Sequence, residues 1–195
     1  GDASVGTIEH IMAALAGCGV NNAKIELDGP EVPIMDCSSA IFSKVILAAG
    51  IKELDEKIAV LRVLKPVRVD DGAAFAELVP SDVPKISFSI EFDVPAIGKQ
   101  DKSMSLANGA FVRELCNSRT FCKQSEVDWM HENGLALGGS LENAVVVDGD
   151  TVVNEDGFRH EDECVRHKML DALGDLYLAG APILGHYRGH RAGHR

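Results

Sequence analysis

A chain of 195 residues with 46% hydrophobic and 25% charged residues has a globular composition and can bury a sizeable core, so disorder is excluded as its main state. A net charge of −11 excludes a general nucleic-acid binder, which needs a basic surface, but leaves room for a phosphate held by a few local cations. Five cysteines, odd in number and without a CxxC pair, exclude a disulfide framework and point to a reducing compartment.

Residues 7–16 (TIEHIMAALA) place Ile8, Met12 and Leu15 at helical spacing, with Thr7 as a cap and Gly17 and Gly19 as stops. Residues 23–27 (AKIEL) alternate as a strand, and Asp28-Gly29-Pro30 is turn chemistry. Ser38 and Ser39 open a second predicted helix that runs to Ala49 and ends at Gly50. The charged residues 52–57 read as a linker. Strands are predicted over 59–63, 67–69, 74–79 and 86–92, punctuated by Pro66, Asp71-Gly72 and Pro84. Helices follow over 109–117 and 126–132, then a hairpin of 144–148 and 151–153 around Gly149, then a long amphipathic helix over 162–178. This order predicts α+β layers rather than regular βαβ alternation. Glu9-His10 with ALAG faintly echoes Arg166-His167 with a later LAG, as two related halves would, although helices of Ala and Leu also resemble each other by chance. No apolar run reaches membrane-spanning length and no signal peptide opens the chain, so a cytoplasmic protein without an integral membrane segment is expected. The chain starts at Gly1 rather than Met, its chemistry begins at Glu9, and it stops at Arg195; both ends are expected to be cut from something longer.

Four segments carry candidate chemistry. His167 and Asp171, four apart, share one helix face and can reach one metal ion, with Asp175 a turn further on as an orienting group. A bare HxxxD is more often a solvated charged face. Glu9-His10 can offer a metal ligand and a base about 100° apart on a helix, or merely a polar first turn favoured by the dipole. The run 185–195, with three histidines and three arginines, is an anion and proton-transfer site or a basic tail. Thr120, after Ser118-Arg119, can donate to a developing oxyanion or belong to a plain turn. Residues 154–157 (NEDG) read as a turn without calcium-loop spacing.

TIEHIMAALAGCGVNN, PEVPIMDCSSAIF, NSRTF, GLALGGSLENAVV, VVNEDGFRHEDECVRHKMLDALGDLYLAG and Gly193-His194 occur in this order over nearly the whole chain. Together they resemble the UDP-3-O-acyl-N-acetylglucosamine deacetylases, zinc-dependent amidohydrolases of lipid A biosynthesis in Gram-negative bacteria. The resemblance implies two similar two-layer α/β sandwich domains of the ribosomal protein S5 domain 2-like kind. Residues 1–54 would be the C-terminal part of an incomplete first domain, and 55–195 the second, with an acyl-channel insert at about 122–147.

The resemblance also implies residue roles. His10, His167 and Asp171 match the zinc ligands, and Glu9 the general base. His194 matches the catalytic histidine, Asp175 its carboxylate partner, and Thr120 the oxyanion contact. Lys168 and Phe121 match substrate contacts, Phe92 a nucleotide-facing aromatic and Arg191 a phosphate-binding cation. Val127, Gly139, Ser140, Leu141 and Val146 are the expected wall of an acyl passage. The implied cofactor is Zn2+, with iron as a competitor at such mixed N/O ligand sets. The implied partner is a UDP-sugar carrying a 3-hydroxyacyl chain, acted on by a monomer that loses acetate from it. Ala74 stands where some members carry a lysine, and His186 and His190 lie outside the family pattern. The family's strands before the Glu-His helix, and its strand and helix after the catalytic histidine, have no counterpart here. Two rivals remain at this point: a non-catalytic binder of an anionic glycolipid or nucleotide, and an amidase for another N-acetyl sugar.

Overall fold

A computed structural model describes residues 3–134 and 138–194. Helix α1 (Glu9–Cys18) forms where apolar residues recur at helical spacing, and it buries His10, Ala13, Ala14 and Leu15. Its start differs from the predicted cap. Ile8 is the N-cap and no side chain caps it, because Thr7 takes a left-handed φ of 52° and donates its hydroxyl to Glu31. Gly19, at φ 75°, closes the helix as expected. Helix α2 (Ala40–Ala49) follows its N-cap Ser39. The strand predicted over 23–27 is not formed. Ile25 and Leu27 are 45% and 38% exposed, and none of the described sheets includes the segment. Alternation makes a strand only where a neighbour completes the hydrogen-bond ladder.

From there the chain runs through β1 (Leu61–Arg62), β2 (Val67–Asp71), β3 (Ala74–Val79), β4 (Lys85–Glu91), β5 (Lys99–Ser105), α3 (Ala110–Glu114), β6 (Phe121–Lys123), α4 (Gln124–Glu132), β7 (Val145–Asp148), β8 (Thr151–Val152), α5 (Glu163–Tyr177), β9 (Ile183–Leu184) and β10 (His186–His190). The result is an α+β fold with mixed sheets. Its main sheet has the order β2-β3-β10-β4-β5, with β10 antiparallel to β3 and parallel to β4. Strand β4 alternates: Ile86, Phe88 and Ile90 are buried and pack into one cluster with Val165, Met169 and Leu170 of α5. A smaller sheet, β6-β7-β8, carries part of the expected acyl insert, whose residues 135–137 lie outside the described residues.

The histidine-rich segment is not a plain basic tail. Residues 186–190 form β10, an interior strand of the main sheet. Tyr187 and Gly189 face the core, and a Cβ at Gly189 would stand 2.5 Å from the Phe88 ring. His186 and His190 therefore face the opposite side, where their rings pair with Ser87 Oγ (2.7 Å) and Ser89 Oγ (2.6 Å).

Candidate metal centre

Helices α1 and α5 pack directly against each other, and Gly174 sets how closely. A Cβ on Gly174 would lie 2.1 Å from the Glu9 carbonyl oxygen, so only glycine admits α1 at this distance. The approach carries His10 to the α5 face that bears His167 and Asp171. All three side chains are buried, and one ligand atom from each lies within 4.8 Å of the others. His167 Nε2 is 3.2 Å and His10 Nε2 3.8 Å from Asp171 Oδ1.

The electrostatics suit a cation. Burial pushes the His167 imidazole down to about 4 and lowers His10 as well, so both rings are neutral, the form a metal requires. His167 Nδ1–H donates to the buried Ser118 carbonyl (3.0 Å), which leaves Nε2 as the lone-pair nitrogen. For Asp171, burial works upward, but the charge and hydrogen bond of the Lys168 ammonium help to keep the carboxyl below its usual range. His10 Nδ1 and Asp171 Oδ1 are buried without a hydrogen-bond partner. Such orphaned atoms are costly unless something positive or polar meets them. Two imidazoles and a carboxylate form a ligand set typical of catalytic zinc, with a fourth position left for water or substrate.

A cavity of about 470 Å³ surrounds the triad. Its walls include Glu9, Phe92, Thr120, Phe121, Lys168, Arg191 and His194, so the structure brings these expected residues together with the ligands. Asp175 stands behind His194: its Oδ2 lies 2.9 Å from His194 Nδ1. That hydrogen bond, opposed by burial and helped by the Asp171 charge, raises the His194 imidazole above its ordinary value. Lys168 Nζ donates to Asp171 Oδ2 (2.8 Å), so it contacts an expected ligand as well as the cavity. Phe121 packs edge-on to Phe92 and to His167, at centroid distances of 5.3 and 6.3 Å. Thr7, Cys37 and Arg191 line the same cavity with left-handed φ of 52°, 57° and 49°, a concentration of backbone strain of the kind found at functional sites.

A larger, mostly apolar cavity of about 1070 Å³ adjoins the first and shares Ile34, Cys37, Thr120, Phe121 and Cys122 with it. Val127, Gly139, Ser140, Leu141 and Val146 all line it. Burial pushes the Cys37 and Cys122 thiols up to about 11, so at neutral pH both are protonated, weakly polar wall groups.

Several residues that hold the site carry no signal of this role in the sequence. Ser39 Oγ donates to the His10 carbonyl (2.7 Å, buried), which ties α1 to the start of α2; the capping pattern marks its position but not this bond. Arg119 and Glu163 form a fully buried pair (3.0 Å), and Glu163 also accepts from the Arg119 backbone N–H (2.9 Å). The pair clamps the turn that presents Thr120 to the first turn of α5. Asn154, predicted as part of a turn, is buried: its Oδ1 accepts from Val146 N–H, and its amide donates to the carbonyls of Leu141 and Ala144, each at 2.8 Å. It fixes one wall of the apolar cavity. Among the described residues no helix is long and apolar enough to cross a membrane.

Over residues 1–195 the sequence matches the family described as UDP-3-O-acyl N-acetylglycosamine deacetylase. Curated relatives named UDP-3-O-acyl-N-acetylglucosamine deacetylase are similar to it. One from Geobacter sp. strain M21 is 50% identical, over 100% of this chain and 64% of its own length. One from Acidithiobacillus ferrooxidans is 47% identical, over 100% of this chain and 64% of its own. One from Idiomarina loihiensis is 47% identical, over 97% of this chain and 63% of its own. The chain thus spans slightly less than two thirds of the length of these relatives.

Proposed function

As the chain belongs to the UDP-3-O-acyl N-acetylglycosamine deacetylase family, we propose that it carries the machinery of a zinc-dependent amide hydrolysis. The substrate is UDP-3-O-(3-hydroxyacyl)-N-acetylglucosamine, which loses acetate in lipid A biosynthesis. The observation that carries this reading is the buried triad of His10, His167 and Asp171, opening on a cavity that also holds Glu9, Thr120 and His194.

His10, His167 and Asp171 would hold a zinc ion, which would supply Lewis acidity for the amide carbonyl and lower the pKa of water to about 7. Glu9, next to His10 at the start of α1, accepts a proton from the attacking water. The Asp175 carboxylate keeps His194 protonated, and His194 gives that proton to the departing amine. Each such proton transfer contributes about 10²–10⁴-fold. Thr120 donates a hydrogen bond to the oxygen on which negative charge develops. Lys168 and Arg191 meet the phosphates and Phe92 stacks with the nucleobase. The apolar cavity, with Val127, Gly139, Ser140, Leu141 and Val146 in its wall, takes the acyl chain. Its continuity with the triad favours this substrate over an N-acetyl sugar without a fatty chain.

The test is metal analysis of the full-length protein and of its His167→Ala variant, paired with acetate release from the acylated UDP-sugar. The expected result is one zinc per wild-type chain, and loss of both zinc and acetate release in the variant. Unchanged zinc content in His167→Ala would remove the triad from the reading.

A further inference from the structure

Beside the metal cavity lies a recess of about 450 Å³ lined by Glu91, Phe92, Asp93, Lys123, Lys168 and Arg191. Three cations converge there, in a chain whose net charge is −11. Phe92, Lys168 and Arg191 already have substrate roles in the reading above, whereas Lys123 has none. Lys123 sits at the end of β6, two residues after Phe121, so both side chains leave the same side of the strand. Phe121 points at Phe92 and His167. Lys123 lines the metal cavity and the recess but not the apolar cavity. Its backbone N–H donates to the Glu126 carboxylate (3.0 Å), which fixes the strand end while leaving the ammonium unconstrained by that bond.

The ammonium rests 2.9 Å from Asp93 Oδ1, on a carboxylate whose side chain is 87% exposed. An ion pair this open to solvent holds weakly and is easily exchanged. A diphosphate offers more charge and more acceptor oxygens than one carboxylate. Resting on the reading of this site as one for a UDP-sugar, we propose that Lys123 is a third diphosphate-binding cation. Asp93 parks its ammonium at the recess until the nucleotide enters, and the ammonium then passes to a phosphate oxygen. If the pair were only a tether between β6 and the turn after β4, removal of either partner would have the same effect. The proposed role separates the two.

The experiment is calorimetric titration of the full-length protein with UDP and with uridine, for wild type, Lys123→Gln, Lys123→Arg and Asp93→Asn. Lys123→Gln is expected to weaken UDP by about tenfold, the scale of one charge-assisted hydrogen bond, and to leave uridine unaffected. Lys123→Arg is expected to restore UDP affinity, and Asp93→Asn to keep or increase it. With the acylated UDP-sugar, Lys123→Gln should raise KM by a similar factor and leave kcat within about twofold, as loss of uniform binding does. Equal UDP affinity in wild type and Lys123→Gln, or equal losses in Lys123→Gln and Asp93→Asn, overturns the role of Lys123 and leaves the substrate reading standing. Absence of UDP binding by the wild type overturns both.

Discussion

The Asp175–His194 pair gives the proposed chemistry its pH dependence. Chiefly through its hydrogen bond, Asp175 raises the His194 imidazole above its ordinary value, so the imidazolium persists to higher pH. The proton-donating form is present below the folded-state pKa and disappears as pH rises through it. In full-length protein, Asp175→Asn should therefore shift the alkaline limb of the pH–rate profile to lower pH. Activity at neutral pH should fall toward the ~10²–10⁴-fold loss expected when a general acid is removed outright. An unmoved alkaline limb would take Asp175 out of the proton path. Arg119 contrasts with these residues. It lies within the NSRTF segment next to Thr120, yet it is buried against Glu163 and supports the turn from below. Segment resemblance does not separate a residue that meets substrate from one that holds its neighbour, because both are equally fixed in sequence order. Burial separates them.

At the scale of elements, the site depends on the contact of α1 with α5. In an open helix position, Gly→Ala stabilises by about 1 kcal/mol because alanine is the better helix former. At Gly174 the sign should reverse. The new Cβ would meet the Glu9 carbonyl at 2.1 Å, and a backbone oxygen cannot swing aside as a flexible side chain can. Gly174→Ala is expected to cost about 1–3 kcal/mol in thermal unfolding and to displace His10 from its partners on α5. Zinc affinity, read by competition with a chelator, should fall at least about tenfold, the scale of about 1.4 kcal/mol. A variant with raised stability and unchanged zinc affinity would show that α1 does not need this approach.

The same scale shows what the sequence made legible. Helices α1 and α5 and strand β4 were readable because each has an apolar face at its own period, so local pattern and tertiary burial agree. Residues 23–27 have the alternation of a strand without a described partner. The reverse holds for β5, whose KQDKSMS is polar and lysine-rich. It is a strand because β4 pairs with it along seven residues, information that lies elsewhere in the chain. Strand β10 was hidden by its histidines and arginine, which read as an anion and proton-transfer site or a basic tail until the sheet places Tyr187 and Gly189 inward. At the site, the spacing of His167 and Asp171 was visible from the helical period alone. The inclusion of His10 rested on resemblance, since nothing in its own segment says which distant helix it meets.

Across the whole molecule, the two adjoining cavities and the buried triad come from segments far apart in sequence: the helix at residues 9–18, the stretch around 120–146 and the helix at 163–177. A single ion bound by His10, His167 and Asp171 would therefore also act as a cross-link. It would close a loop that contains most of the chain, the geometry in which a clip restricts the unfolded ensemble most. It would further stabilise the native state by mass action, because the unfolded chain does not assemble the three ligands. Removal of the metal from full-length protein by a chelator should thus speed amide hydrogen exchange in α1 more than in β4 and β10, whose ladders do not depend on it. Uniform acceleration across all elements would indicate that the ion holds the entire fold, and no acceleration that it is a passenger. The proposed reaction centre would then double as the fastening between the first helix and the last, so zinc supply would govern how long the protein survives as well as how fast it works.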